Sequence, residues 1–289
     1  VVVSLSEANL KCRPLVPTPL AQVSYPRSGT HWVQQIIQLI LYEKKSAETF
    51  SEFSNRAPFI EIVDIKNMAV GSPRLLRTHI PFGRVPFSNK AKYVYVARNP
   101  WDCCVSVYHY LRSAPGFDFE NGTFDDCLIA FLDGTAGFGD YFSHVISGYN
   151  RRNEPNVFFV TYEELFKDRQ GVILRLAHFL GGHHGKRLEC DCAALEDILE
   201  KTSTAFMKRM LKTNAGELLS LLLKNPRGIQ PSWLASYKDK PASTVLDIVR
   251  HGRPGDCRHY FTPENVEKME AKINERATCT DLLKLWKRD

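Results

Sequence analysis

Tyr25-Pro26-Arg27-Ser28-Gly29-Thr30-His31-Trp32 brings a guanidinium, two hydroxyls and a glycine together. These residues follow a strand-like run, Ala21-Gln22-Val23-Ser24, and open a long apolar helix pattern from Trp32 to Leu41. Backbone N–H groups at the positive end of a helix make an anion site, and small residues let the backbone approach a phosphate. The G-x-x-x-x-G-K-[ST] spacing of a Walker loop is absent. An ordinary strand–turn–helix connection would account for this loop taken alone.

Other segments carry related chemistry. Arg98-Asn99-Pro100-Trp101-Asp102, with Ser106 about two helical turns on, offers an Arg and a Ser to a second phosphate. Thr78-His79-Ile80-Pro81 sets a His in a Pro-containing turn. A neutral imidazole there can take a proton from an acceptor hydroxyl. The other eight histidines lack such a setting, and His183-His184 has no partner at metal-ligand spacing. Arg250-His251-Gly252-Arg253-Pro254-Gly255-Asp256 is a basic, Gly-rich loop able to fold over a polyanion.

These residues need a scaffold that gathers them. Strand-like runs alternate with helix patterns, which predicts α/β architecture: one domain over residues 1–289, a parallel sheet flanked by helices. Beyond Ala21-Ser24, the strands are Arg74-Leu75-Leu76-Arg77, Lys92-Tyr93-Val94-Tyr95-Val96-Ala97 and Val157-Phe158-Phe159-Val160. Asp102 reads as the N-cap of a helix to about Leu111. The fourth strand ends at Thr161-Tyr162-Glu163-Glu164 and is followed by a helix through Leu180, and Pro263 to Trp286 reads as a helix with Thr262 as its N-cap. The candidate site residues Arg27, Ser28, His79, Arg98 and Tyr162 all sit at strand carboxyl ends, where open α/β sheets bind ligands. Residues 183–260 look irregular apart from a helix at Leu195-Lys201, and residues 226–254 read as long loops. Loops about 80–90, 138–149 and 213–250 are expected to line or cover the acceptor pocket.

Composition bounds the partners. A net charge of +6 suits an anionic ligand but lacks the clustered basic runs of nucleic-acid binders. Eight cysteines in a chain this large, with Cys103-Cys104 inside a helix pattern, read as reduced thiols. No run of about 18 apolar residues is present, so no membrane span is expected. Val1-Val2-Val3-Ser4 shows neither a basic leader nor a cleavage signal, and a cytoplasmic protein is expected. The chain starts without Met, so Val1 is not taken as the native start.

In this order the segments resemble the cytosolic sulfotransferase family. Residues 25–32 resemble its phosphosulfate loop, usually Y-P-K-S-G-T-T-W, and Thr78-His79-Ile80-Pro81 its K-T-H-x-P segment. Tyr95 through His109 resembles its 3′-phosphate motif, Tyr162-Glu163-Glu164 its Y-E-E/D segment, and the loop from Arg250 its R-K-G-x-x-G-D-W loop. The resemblance implies sulfuryl transfer from 3′-phosphoadenosine 5′-phosphosulfate (PAPS) to a hydroxyl, with adenosine 3′,5′-bisphosphate (PAP) as product and no metal. It implies catalytic roles for His79 as general base, Arg27 and Arg77. It assigns nucleotide contacts to Arg27, Ser28, Gly29, Thr30, His31, Trp32, Arg98, Ser106, Tyr162, Thr202, Ser203, Arg250, His251 and Gly252. Phe82, Phe87, Phe138, Tyr141 and Phe142 would line a pocket for a small acceptor, most simply a phenol or catecholamine. A homodimer is left open, because residues 263–272 match the family's dimer motif poorly.

The departures are Arg27 and Arg77 for lysines, His31 for the second loop Thr, His251 for a lysine and Cys257 for a Trp. Arg27 keeps its charge but has no proton to give a leaving group, which implies retained nucleotide binding and slower turnover. A nonenzymatic nucleotide-binding protein on this fold is one alternative. A carbohydrate sulfotransferase is another, though it would normally carry a membrane anchor. A nucleotide kinase would need a Walker lysine and a magnesium site.

Overall fold

Alternate residues of the strand Lys92–Ala97 bury opposite faces: Tyr93, Tyr95 and Ala97 join one core cluster, Val94 and Val96 another. Only a strand covered on both sides reads this way. In the computed structural model, which describes residues 20–43, 45–61, 75–84, 87–114, 117–223, 241, 245–246, 248–278 and 280–286, this strand is β3 of a four-stranded sheet. The others are β1, Leu20–Ser24, β2, Leu75–Thr78, and β4, Val157–Thr161. The order is β2-β1-β3-β4, with every pairing parallel.

Helices cover both faces. Thr30–Leu41 (α1) and Arg169–Leu180 (α7) pack the side of Val94 and Val96, with α8 (Gly182–Cys190) and α9 (Cys192–Lys201) beyond them. Pro100–Ser113 (α3), Phe124–Leu132 (α4), Tyr141–Tyr149 (α5) and the last helix, Pro263–Ala277, cover the other side. A smaller cluster joins Phe50 and Phe53 of α2 (Phe50–Asn55) to Met207 and Met210 of α10 (Thr204–Met210). The strand order places β1 at the topological switch point. Chain entering from β1 goes to β2 on one side, and chain leaving β2 crosses to β3 on the other, so a crevice opens beyond the ends of β1 and β3.

Several sequence expectations change. Asn99, not Asp102, caps α3: its side chain accepts from Asp102 N–H, and Pro100 takes the first helical position, where its missing N–H costs nothing. The helix expected through Leu180 breaks at Asp168 into α6 (Tyr162–Lys167) and α7, and Asp168 caps the second of them. Residues 183–194, expected as irregular, form α8 and the first turn of α9, and the helix expected at Leu195-Lys201 is the rest of α9. The glycine at 185 is what lets α8 lie on α7, since an added Cβ would meet the His178 ring at 2.3 Å. The second strand is shifted by one residue, and Arg74 lies outside the described residues, as do Cys12, Cys279 and much of 213–250. Cys103, Cys104 and Cys127 are free and buried, and Cys190 and Cys192 are free and exposed. Among the described residues, no helix is long and apolar enough to cross a membrane, and no group of three or more His, Cys, Asp or Glu is disposed to hold a metal ion.

Candidate functional site

The loop after β1 is shaped by its backbone. Arg27 has φ 68° and Gly29 φ 101°, both left-handed. For Arg27 that conformation costs about 1–2 kcal/mol, and the Arg98 Nη1–H bond to its carbonyl at 3.2 Å helps hold it. Gly29 is the N-cap of α1 and supplies no side-chain cap, so the helix presents unsatisfied amides to the crevice. A Cβ at Gly29 would also meet Tyr162 Cδ2 at 2.9 Å. The Ser28 side chain turns inward to Cys103 Sγ at 3.8 Å, and the Thr30 hydroxyl pairs with Ser24 Oγ at 2.8 Å.

Three guanidinium groups converge here. Arg27 Nε donates to Ser106 Oγ and its Nη2 to the Ile248 carbonyl, both at 3.2 Å. Burial lowers its pKa, and the charges of Arg98 and Arg250 push the same way. Arg98 lies over the Tyr162 ring at 4.4 Å, and its Nε is buried without a hydrogen-bond partner. Like charges crowded around an orphaned buried donor fit a bound polyanion. Arg250 is ion-paired with Asp256.

The opposite side of the crevice closes through contacts distant in sequence. Trp32 lies 5.2 Å from the Tyr162 ring, and its Nε1–H donates to the Thr202 carbonyl at 2.9 Å. The Ser203 side chain caps α10 by accepting from Phe206 N–H. Gly252, at φ 68°, rides over Thr204, and His251 beside it is exposed. Asp102 ties the late loop down, accepting from Gly255 N–H at 2.7 Å and Cys257 N–H at 3.0 Å. Burial would raise that carboxyl, but the bonds from Asn99, Gly255 and Cys257 and the Arg98 charge outweigh it and hold it low. Glu163 accepts from both N–H groups of Asn99, the backbone at 3.1 Å and Nδ2 at 2.7 Å, fixing the strand end that carries Arg98.

His79 stands at the end of β2, half-buried, its Nδ1 2.7 Å from the Ser24 carbonyl. A carbonyl only accepts, so Nδ1 carries the proton and Nε2 the lone pair. Burial lowers the His79 pKa to about 3 against that hydrogen bond, with His144, Arg77 and Arg27 adding to the drop. His144, in α5, donates Nε2–H to the His79 carbonyl at 3.0 Å and receives Tyr95 Oη at Nδ1 at 2.7 Å.

Arg77 does not face the crevice as the sequence expectation would place it. Its Nε donates to the Ala57 carbonyl at 2.5 Å and Nη1 to Gln34 Oε1 at 2.6 Å, and it lies over Phe59 at 4.1 Å. Burial takes its pKa down to about 9. His31 stacks on Phe53 at 6.0 Å, held neutral by burial and neighbouring cations. Of the expected pocket residues, Tyr141 and Phe142 are fully buried; Tyr141 donates to the Arg98 carbonyl and packs edge-on to Tyr25. Phe82 meets Tyr93 edge-on at 5.3 Å and Phe87 stacks on the same ring at 4.7 Å. Phe138 is half-exposed beside Tyr25 and Tyr110, and Tyr110 faces Arg27 at 5.4 Å. Tyr110, His144, Glu163 and the anchoring role of Asp102 escape sequence reading, because each acts through a contact made across the fold.

Residues 17–281 match the family model described as Sulfotransferase domain. Sulfotransferase 2B1 of Mus musculus is 33% identical over 260 residues, 88% of this chain and 70% of its own length. Amine sulfotransferase of Oryctolagus cuniculus is 30% identical over 272 residues, 91% of this chain and 82% of its own. The solved structure of mouse sulfotransferase SULT7A1 complexed with PAP aligns with a TM-score of 0.71 at 25% identity, covering 96% of this chain and 90% of that one. Retinol dehydratase in complex with androsterone and inactive cofactor PAP aligns with a TM-score of 0.70 at 22% identity, a likeness of fold. With its motifs in order and the family model matched over nearly its whole length, this chain belongs to the sulfotransferase family and is a transferase of that class.

Proposed function

We propose that this enzyme moves the sulfuryl group of PAPS to the hydroxyl of a small aromatic acceptor, a phenol or catecholamine, releasing PAP. One observation carries the reading: the Arg27–Arg98–Arg250 cluster and the neutral His79 flank the same loop, with His79 tethered to Ser24 at that loop's root. The solved relative bound to PAP supports the choice of donor.

In this reading the loop amides, Ser28 and Thr30, with Arg27, hold the phosphosulfate end. Arg98, Ser106, Arg250, His251 and Gly252 hold the 3′-phosphate, while Trp32, Tyr162 and the 202–203 turn flank the adenosine. His79 takes the acceptor proton at Nε2 as the acceptor oxygen bonds to sulfur in line. The bond from sulfur to the bridging phosphate oxygen breaks, and its electron pair leaves on PAP. Charge developing on the leaving oxygen meets donors already in place, which is where most of the rate enhancement in such transfers resides. Arg77 acts by charge rather than contact, helping to keep the free imidazole unprotonated. Bound anion offsets the Arg27 charge, one of those holding the imidazole pKa down, so His79 becomes a stronger base once the donor is loaded.

The acceptor sits, in this reading, against Tyr110 and Phe138. Soluble cytoplasmic catalysis goes with it. Labelled PAPS offered with phenols, catecholamines, aryl amines, steroids and sugars tests the proposal. Label transferred to the phenols or catecholamines is the expected result, while tight PAP binding with no transfer to any acceptor would overturn it.

A further inference from the structure

Residues 58–61 extend the sheet by one short bridge. Ile60 N–H donates to the Arg77 carbonyl and Arg77 N–H to the Pro58 carbonyl, both at 2.9 Å, with Phe59 opposite Arg77. That pairing delivers Glu61 to the turn beyond β2. There Oε1 alone accepts two bonds, from the Thr78 hydroxyl at 2.9 Å and from the His79 backbone N–H at 2.5 Å. The Thr78 oxygen in turn accepts from Ile80 N–H at 2.9 Å. The Phe59 ring lies 4.8 Å from the imidazole.

We propose that Glu61 is a positioning residue for the base: it fixes the backbone from which the His79 ring projects, and with it the aim of Nε2. The proposal rests on the reading of His79 given above. Three independent restraints meet at this residue. Ser24 holds the ring through Nδ1, His144 holds the carbonyl, and Glu61 holds the N–H. The first two leave the peptide free to pivot about the tethered ring, and Glu61 removes that freedom. His79 has already left the β2 ladder, so no neighbouring strand replaces the carboxylate. The acceptance of both bonds by one oxygen also predicts which substitutions are tolerated. A Gln oxygen accepts the same two bonds, whereas an Asp oxygen falls one methylene short.

The effect should appear in turnover and not in donor binding, since Arg27, Arg98 and Arg250 stand on other elements. Displacing a catalytic group by about 1 Å costs on the order of 10²-fold in rate. The test measures kcat, acceptor KM, PAP affinity and Tm for E61A, E61D, E61Q, H79A and E61A/H79A. Expected are a kcat loss of roughly 10- to 100-fold in E61A and E61D, near wild-type turnover in E61Q, unchanged PAP affinity throughout, and no added loss in the double variant. Turnover at the wild-type level in E61A and E61D beside an inactive H79A would overturn the proposal alone. Equal losses in E61Q and E61D, or additive losses in the double variant, would also overturn it. Should E61A not fold, the E61Q–E61D contrast decides the matter. Full turnover in H79A would remove the base itself and the proposal with it.

Discussion

The loop after β1 and the turn after β2 leave adjacent strands of one sheet, yet they are built on opposite terms. Around the loop, polar capacity is left over even though the Arg27, Ser28 and Thr30 side chains are engaged: a helix start with no side-chain cap, an orphaned Arg98 Nε and three crowded guanidinium groups. The turn spends nearly everything. His79 has its ring Nδ1, its N–H and its carbonyl all engaged, leaving Nε2 as the atom with work to do. The first region is an unmet electrostatic demand that a ligand satisfies. The second is a satisfied framework that aims one lone pair. Binding and turnover should therefore respond to different substitutions.

The largest effect on the loop side is expected from Arg27→Ala. In the proposed mechanism it removes the charge that meets the phosphosulfate end, and steady-state kinetics should show kcat lower by about 10²- to 10³-fold. Gly29→Ala should be next. Left-handed backbone and overlap with Tyr162 together should cost about 1–3 kcal/mol of PAP affinity or stability, read by calorimetry and thermal melts. Gly29→Ala with unchanged affinity would show that loop shape matters less than charge.

The smallest effect tests the turn through pH. Burial lowers the His144 pKa to about 4, below its unfolded value near 6.5. Between those values the unfolded chain binds more protons, so stability is complete above about pH 6.5 and is lost as pH falls toward 4, by up to about 3 kcal/mol from this group. Urea unfolding of His144→Asn across that window should show a shallower pH slope, by up to about 1.4 kcal/mol per pH unit. An unchanged slope would mean that His144 is not held neutral by the fold.

The same contrast explains what the sequence disclosed. Loop chemistry is local: Tyr25 to Trp32 contains its shape, hydroxyls, charge and helix start in one stretch. Strand β3 was legible because Tyr, Val and Ala alternate while both faces are buried. The turn is different. His79 stands out as a residue, but its restraints come from Glu61 and His144, which are 18 and 65 residues away. Nothing local marks either as a partner. Helix α8 was hidden for a related reason. Gly182-His183-His184-Gly185 is poor helix sequence, and packing on α7 overrides propensity there. Asp102 looked like a cap because caps are read from type and position, while Asn99 before Pro100 holds that role.

The most direct test of this division is to measure PAP affinity and kcat side by side for Arg98→Ala and His79→Ala. Arg98→Ala should weaken PAP binding by about 10- to 100-fold, the worth of charge-assisted bonds to a buried anion. His79→Ala should keep PAP affinity and lose about 10²- to 10⁴-fold in kcat. Weakened PAP binding in His79→Ala to the same degree as in Arg98→Ala, or undiminished turnover without the imidazole, would contradict the account.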